Sequence, residues 1–150
     1  GSEWAWTTHR HLGGVPPRAD LAAEQSLAEV LRRAAAVGRL SSAHDLSDGG
    51  LAQTLCESTL RGGLGARLRL PAKTDPFVAL FSESSARALV TVTREHEAAL
   101  LALCDEQGVP WTVLGNVDAE ADGLEFEDLF RVGRAELDEA WTKTLPALFG

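Results

Sequence analysis

The chain has 150 residues, 45% of them hydrophobic and 24% charged, which fits one globular domain and excludes a disordered chain or a coiled coil. Its 22 Asp and Glu against 14 Lys and Arg give a formal charge of -8. That acidity repels phosphate backbones and anionic lipid, so neither nucleic acid nor a membrane is expected as a partner, and a phosphorylated ligand would need a metal ion or backbone N–H groups beside it.

Residues 1–19 stand apart. They carry Trp4, Trp6, His9 and His11, and then Gly13-Gly14-Val15-Pro16-Pro17. Paired glycines and prolines do not continue a helix or a central strand, so this segment reads as a linker that carries the chain in from an upstream domain. Its tryptophans point to docking on that preceding part. Gly1-Ser2 is either native or left over from cloning. Residues 20–150 read as a single C-terminal domain.

Asp20 is placed to cap a helix over 21–37, with Leu21, Leu27, Val30, Leu31 and Ala34 on one face and Gly38 as its stop. Residues 41–44 read as a short strand. Leu46-Ser47-Asp48-Gly49-Gly50 turns into a second helix that carries Leu51, Leu55 and Leu60 and ends at Gly62-Gly63. Residues 66–70 alternate like a half-buried strand. Residues 77–81 form a short apolar run of ambiguous type. The β-branched run over 87–93 reads as a buried strand. Thr93 is placed to cap a helix over 95–107 with Leu100, Leu101 and Cys104 inward. Strands are expected at 111–117 and 124–126, and a last helix at 134–149 with Leu137, Trp141 and Leu145 on one face. The interleaving predicts an α/β (α+β) sandwich, a mixed β-sheet with helices packed on it.

Cys56 and Cys104 lack CxxC or Cys/His spacing, which predicts free thiols in a reducing compartment, the cytoplasm. No apolar run approaches the roughly 18 residues of a membrane span. His9-Arg10-His11 has no nearby carboxylate and reads as linker surface. The P-loop, dinucleotide and nucleophile-elbow patterns are missing.

The stretch richest in chemistry is Ser42-Ala43-His44-Asp45-Leu46-Ser47-Asp48-Gly49-Gly50-Leu51. A helix start leaves N–H groups without partners and carries partial positive charge, and glycines admit close approach to its backbone. Such starts receive phosphates. Asp45 and Asp48 would repel a bare phosphate, a conflict that a Mg²⁺ between carboxylate and phosphate oxygens resolves. Asp45, just past the strand, is the metal-ligand candidate; Ser47 or Asp48 is the N-cap candidate. The competing account is an ordinary capped helix start. His44 reads as a strand-end histidine with a hydrogen bond. A second loop, Phe81-Ser82-Glu83-Ser84-Ser85-Ala86-Arg87, also precedes a strand. Its Glu83 and Ser84 could reach a ligand, or Glu83 could pair with Arg87 in solvent, worth about 0–1 kcal/mol.

Taken together, His44-Asp45-Leu46-Ser47-Asp48-Gly49-Gly50-Leu51, Phe81-Ser82-Glu83-Ser84 through Arg87 and Leu114-Gly115-Asn116-Val117 resemble the C-terminal domain of the aminoimidazole ribonucleotide synthetase superfamily. The opening residues and the Gly-Gly/Pro-Pro linker are similar to the join in those members that carry the two-domain unit twice. The superfamily also holds cyclo-ligase, selenophosphate synthetase and thiamine monophosphate kinase types, from which that linker separates this chain. The resemblance implies part of an ATP-dependent ligase of purine biosynthesis. That enzyme converts formylglycinamide ribonucleotide to its amidine with ATP, Mg²⁺ and ammonia from glutamine. It implies a glutaminase and small accessory subunits as partners beside the chain's own upstream domains. No catalytic residue is expected in this chain, and no cofactor held tightly by it alone. It implies Asp45 on Mg²⁺, and Ser47, Gly49, Gly50, Glu83 and Ser84 on nucleotide or phosphate.

Overall fold

The computed structural model describes residues 2–149; Gly1 and Gly150, the outer ends of the two expected segments, lie outside the described residues. In chain order the elements are α1 (Glu3–His9), α2 (Leu21–Ala36), β1 (Ser42–Asp45), α3 (Gly50–Gly62), β2 (Gly65–Leu68), α4 (Pro76–Phe81), β3 (Ala88–Thr91), α5 (Arg94–Glu106), β4 (Gly115–Asp118), β5 (Leu124–Phe126), β6 (Phe130–Val132) and α6 (Arg134–Phe149). The architecture is α/β, with a mixed sheet and packed helices. Contacts group the chain into two units, residues up to Thr54 with Phe77–Val113, and Leu55–Pro76 with Leu114 onward.

In the first unit β1 and β3 pair antiparallel, Ser42 opposite Thr91 and Asp45 opposite Ala88. Helices α2 and α5 supply the core through Val30, Ala34, Leu100, Leu103 and Cys104, against which Leu40, Val90, Val92 and Val109 pack. Removing a side chain the size of Val30 or Leu100 from water contributes about 1.5–3 kcal/mol. Asp20 caps α2 by accepting from the Ala22 and Ala23 N–H groups. Gly38, at φ +67, turns the chain away from α2. Burial raises the Cys104 thiol pKa, and the neighbouring Asp105 adds to the rise.

Several expectations are corrected in this unit. The entry segment, residues 1–19, contains the unexpected helix α1, whose N-cap Ser2 accepts from the Ala5 N–H. Trp4 stacks edge-on to Phe77 at 4.6 Å between ring centroids. The ambiguous run at 77–81 is helix α4; Pro76 sits at its first position, where a missing N–H costs nothing. The strand expected to be buried at 87–93 is β3, half-buried along its length. Thr93 precedes α5 without a side-chain cap bond. Leu21, expected on the inner face of α2, is exposed.

The second unit holds a four-stranded sheet in the order β4-β2-β5-β6. Strands β2 and β5 run parallel, Ala66 beside Leu124, while the two outer pairs are antiparallel. Ala66, Leu68, Leu124 and Phe126 are buried; Arg67 between them faces out, as a period of two requires. Arg67 bridges Asp118 on β4 and Glu125 on β5. Gly65, Gly115 and Gly123 leave no room for a side chain against neighbouring backbone.

The strand expected over 111–117 forms only from Gly115 onward. Pro110 lacks an N–H for a ladder, and the Trp111 indole N–H donates to Asp105 at 2.9 Å, turning that residue toward the end of α5. Strand β6 was not expected. It is three residues long and follows a turn in which Asp128 takes φ +58. Phe126 and Phe130 stack across that hairpin at 4.6 Å. Helix α6 forms where expected, but its apolar face is not covered: Trp141 is 55% and Leu145 64% exposed, and none of its described residues is buried.

Candidate functional site

The first unit brings the two motif loops together. Strand β1 ends at Asp45, which is its last residue rather than just beyond it, and α3 begins at Gly50. The turn between them ends on consecutive left-handed residues, Gly49 at φ +78 and Gly50 at φ +61. A Cβ on Gly50 would stand 2.7 Å from the Ser82 carbonyl oxygen and 2.8 Å from that of Leu80. The bare backbone at 50 therefore lets the opening of α3 lie against the end of α4. That close approach is to the protein's own carbonyls.

The opening of α3 is met by Glu83. One of its oxygens, Oε1, accepts from the Gly49 N–H at 3.0 Å and from the Glu3 N–H, the first residue of α1, at 2.7 Å. A carboxylate is the side chain that a helix N-terminus favours. It comes from thirty-four positions away and not from Ser47 or Asp48, the two local candidates. Arg87, the other expected partner of Glu83, donates from Nη1 to the Ser82 carbonyl at 3.0 Å. Partial burial holds Arg87 below the ordinary guanidinium range, yet it stays charged at neutral pH.

Three residues that the sequence reading missed shape this region. Thr54, 2% exposed, places its hydroxyl 2.9 Å from the Asp45 carbonyl oxygen and 3.0 Å from that of Gly50. It fixes the end of β1 to the first turn of α3. Glu24 on α2 accepts the Ala86 N–H at 2.7 Å, and Ala86 is left-handed at φ 56, a costly conformation for alanine. Ser85 donates to the Arg18 carbonyl. A buried threonine four residues into a helix was the one readable signal. Glu24 and Ser85 act across 62 and 67 positions, a distance no local pattern spans.

These residues enclose a concavity of about 420 Å³ lined by Glu24, Asp45, Leu46, Ser47, Asp48, Glu83, Ser85, Ala86 and Arg87. Of the expected site residues, Asp45, Ser47 and Glu83 line it. Gly49, Gly50 and Ser84 do not line it; the Ser84 hydroxyl lies 3.4 Å from that of Ser82. The Asp45 side chain is 76% exposed. His44 bonds the Asp45 backbone oxygen through Nδ1 at 2.7 Å. Four carboxylates face a single guanidinium here, so the concavity is strongly acidic.

Among the described residues, no three His, Cys, Asp or Glu converge as a protein-only metal cage. Asp45 and Ser47, both on the lining, would offer a Mg²⁺ one carboxylate and one hydroxyl oxygen. No described helix is long and apolar enough to cross a membrane.

Residues 2–126 match the family described as AIR synthase related protein, C-terminal domain. The chain belongs to that family. The chain is similar to the phosphoribosylformylglycinamidine synthase subunit PurL of Frankia casuarinae, 57% identical over all of this chain and 19% of the relative's length. The subunit of the same name from Rhodococcus erythropolis is 50% identical, again over all of this chain and 20% of its own length. The chain thus spans only those fractions of the curated relatives it matches. Among solved structures, T. maritima PurL complexed with FGAR superposes with a TM-score of 0.76 at 21% identity, covering 90% of this chain and 25% of that one. T. maritima PurL complexed with ATP gives 0.73 at 23% identity over 83% and 23%. At those identities the likeness establishes the fold. Helix α6 lies beyond the residues that the family match covers.

Proposed function

We propose that this chain is the C-terminal domain of a phosphoribosylformylglycinamidine synthase synthetase subunit. In this reading residues 1–19 lead in from an upstream domain and residues 20–150 form the terminal domain. The whole protein is an ATP-dependent ligase of purine biosynthesis in the cytoplasm. It turns formylglycinamide ribonucleotide, ATP and ammonia from glutamine into the amidine. A glutaminase and small accessory subunits are its partners. The observation that carries this reading is the match of every residue of the chain to subunits of that name.

Within that protein the concavity at the opening of α3 forms one wall of a nucleotide site that neighbouring domains complete. Asp45 and Ser47 would hold a Mg²⁺, which, when bound, offsets the repulsion between the acidic lining and phosphate oxygens. Thr54 fixes the backbone that carries Asp45. Gly49 and Gly50 shape the turn, Glu83 faces the phosphate end from the second loop, and Ser84 supports that loop beside Ser82. None of these groups transfers a proton or attacks substrate, so the chain by itself turns over nothing.

The test is calorimetry of Mg-ADP binding to the full-length protein. Asp45→Ala should weaken binding at least tenfold. Unchanged affinity removes Asp45 from the site. A coupled assay on the 150-residue chain should show no substrate-dependent ADP release, and any such release overturns the claim that it needs its neighbours. One observation favours a second reading, a purely buttressing domain: Glu83 already satisfies the Gly49 N–H. Mg-ADP affinity unchanged from wild type in both Asp45→Ala and Ser47→Ala would select it.

A further inference from the structure

Arg87 is the one cation on the lining of the concavity, among the carboxylates of Glu24, Asp45, Asp48 and Glu83. It is partly buried, yet it makes no ion pair among the described residues. Its side chain has one polar contact, Nη1 donating to the Ser82 carbonyl at 3.0 Å. At the surface the chain treats guanidiniums differently: Arg33 pairs with Glu106, Arg67 with Glu125 and Arg69 with Glu127. Two of the carboxylates around Arg87 are turned to backbone instead. Glu83 Oε1 receives the Gly49 and Glu3 N–H groups, and Glu24 Oε1 receives that of Ala86. A guanidinium carries several N–H donors in a planar fork, and most of this fork has no protein partner. Its stance is fixed nonetheless. The Arg87 carbonyl accepts the N–H of Leu46, the residue between Asp45 and Ser47, at 3.1 Å, one step beyond the Asp45–Ala88 pair that ends the β1–β3 ladder. Ala86, directly before Arg87, is left-handed and clamped by Glu24. Backbone strain is thus spent on the residue that sets where an unpaired cation stands.

We propose that Arg87 is the anion-binding residue of this concavity, its unpaired N–H donors taking the oxygens of a ligand's phosphate. The proposal rests on the nucleotide site described above and adds to it the protein's own counter-charge. A planar fork meets two phosphate oxygens at once, which a lysine ammonium does not reproduce. The lining carboxylates repel an anion everywhere else, so a single fixed guanidinium also sets which way the phosphate end of a nucleoside diphosphate points. Arg87 keeps its bond to the Ser82 carbonyl in this account and gives the ligand the donors that bond does not use.

Calorimetry on the full-length protein tests this with Mg-ADP and with Mg-pyrophosphate, which carries the phosphate end alone. Arg87→Gln should weaken Mg-ADP binding about tenfold to a hundredfold, the loss expected for charge-assisted bonds. Its affinity should also fall less steeply with salt than that of the wild type, a change that a purely structural role would not produce. Parallel salt slopes, or wild-type affinity in Arg87→Gln while Asp45→Ala is weakened, overturn the role of Arg87 and leave the nucleotide site standing. Should Arg87→Gln lose its cooperative urea transition, Arg87→Lys carries the comparison: weaker binding than wild type supports the fork, and wild-type affinity overturns it. A wild type that binds no Mg-ADP removes the proposed nucleotide site. Mg-pyrophosphate then decides Arg87 alone: binding that Arg87→Gln loses supports it, and absent or unchanged binding overturns it.

Discussion

Asp20 closes the start of α2 with its own carboxylate, receiving two N–H groups that lie within three residues of it. The start of α3 has two left-handed glycines and borrows a carboxylate from the loop after α4. The first arrangement is local and self-sufficient. The second depends on a distant loop holding its shape, and that loop is kept in place by Glu24, by Arg87 and by a left-handed alanine. A helix start built only for stability does not need a left-handed alanine and side chains borrowed from distant segments. Strain of that kind gathers where a backbone must be presented in one particular way.

Substitutions can break or sharpen this contrast. The largest effect is expected from Gly50→Ala, which forces a Cβ into two carbonyl oxygens at a left-handed position; urea denaturation should register a loss of about 2–4 kcal/mol. An unchanged midpoint would mean the two loops are not in close contact. Thr54→Val should follow at about 1–3 kcal/mol, since it strips the Asp45 and Gly50 carbonyls of a buried donor. Asp20→Ala should cost about 1 kcal/mol, the ordinary worth of a local cap. Asp45→Asn should leave stability within about 0.5 kcal/mol, as for an exposed side chain. Nucleotide affinity in the full-length protein should nevertheless drop, which separates a residue kept for binding from those kept for folding.

The smallest effect concerns pH and the α2–α5 side of the unit. The bond from Arg33 holds the Glu106 carboxyl below its usual value of 4.5. A lowered folded-state value favours the folded state while the carboxylate is charged. Its contribution is therefore complete above pH 4.5 and fades as pH falls through the lower folded-state value. A shallow acid-side loss of melting temperature that disappears in Arg33→Gln is the expected record. The pair is exposed, so salt should flatten it.

The same contrast explains what was legible. Asp20, Gly38 and the spacing of Val30 and Ala34 state α2 within its own residues, and the structure follows them to within one position. Alternation over Ala66–Leu68 and Leu124–Phe126 placed β2 and β5. The His44–Leu51 string marked the turn between β1 and α3 because its glycines and acids are contiguous. The origin of the carboxylate over α3 was not readable, because Glu83 meets Gly49 only after three intervening elements have folded. Strand β6 was missed because three residues carry too little periodicity. Helix α1 was missed because the proline and glycine pairs that follow it overshadowed seven ordinary helix-compatible residues.

The outward guanidinium of Arg67 joins carboxylates on both flanking strands of its sheet. Sliding β2 by a single residue would swap its two faces, driving that cation into the apolar layer and abandoning both anions outside. One charged side chain thus weighs against misalignment: the shifted sheet would bury an unpaired cation, which the aligned one does not.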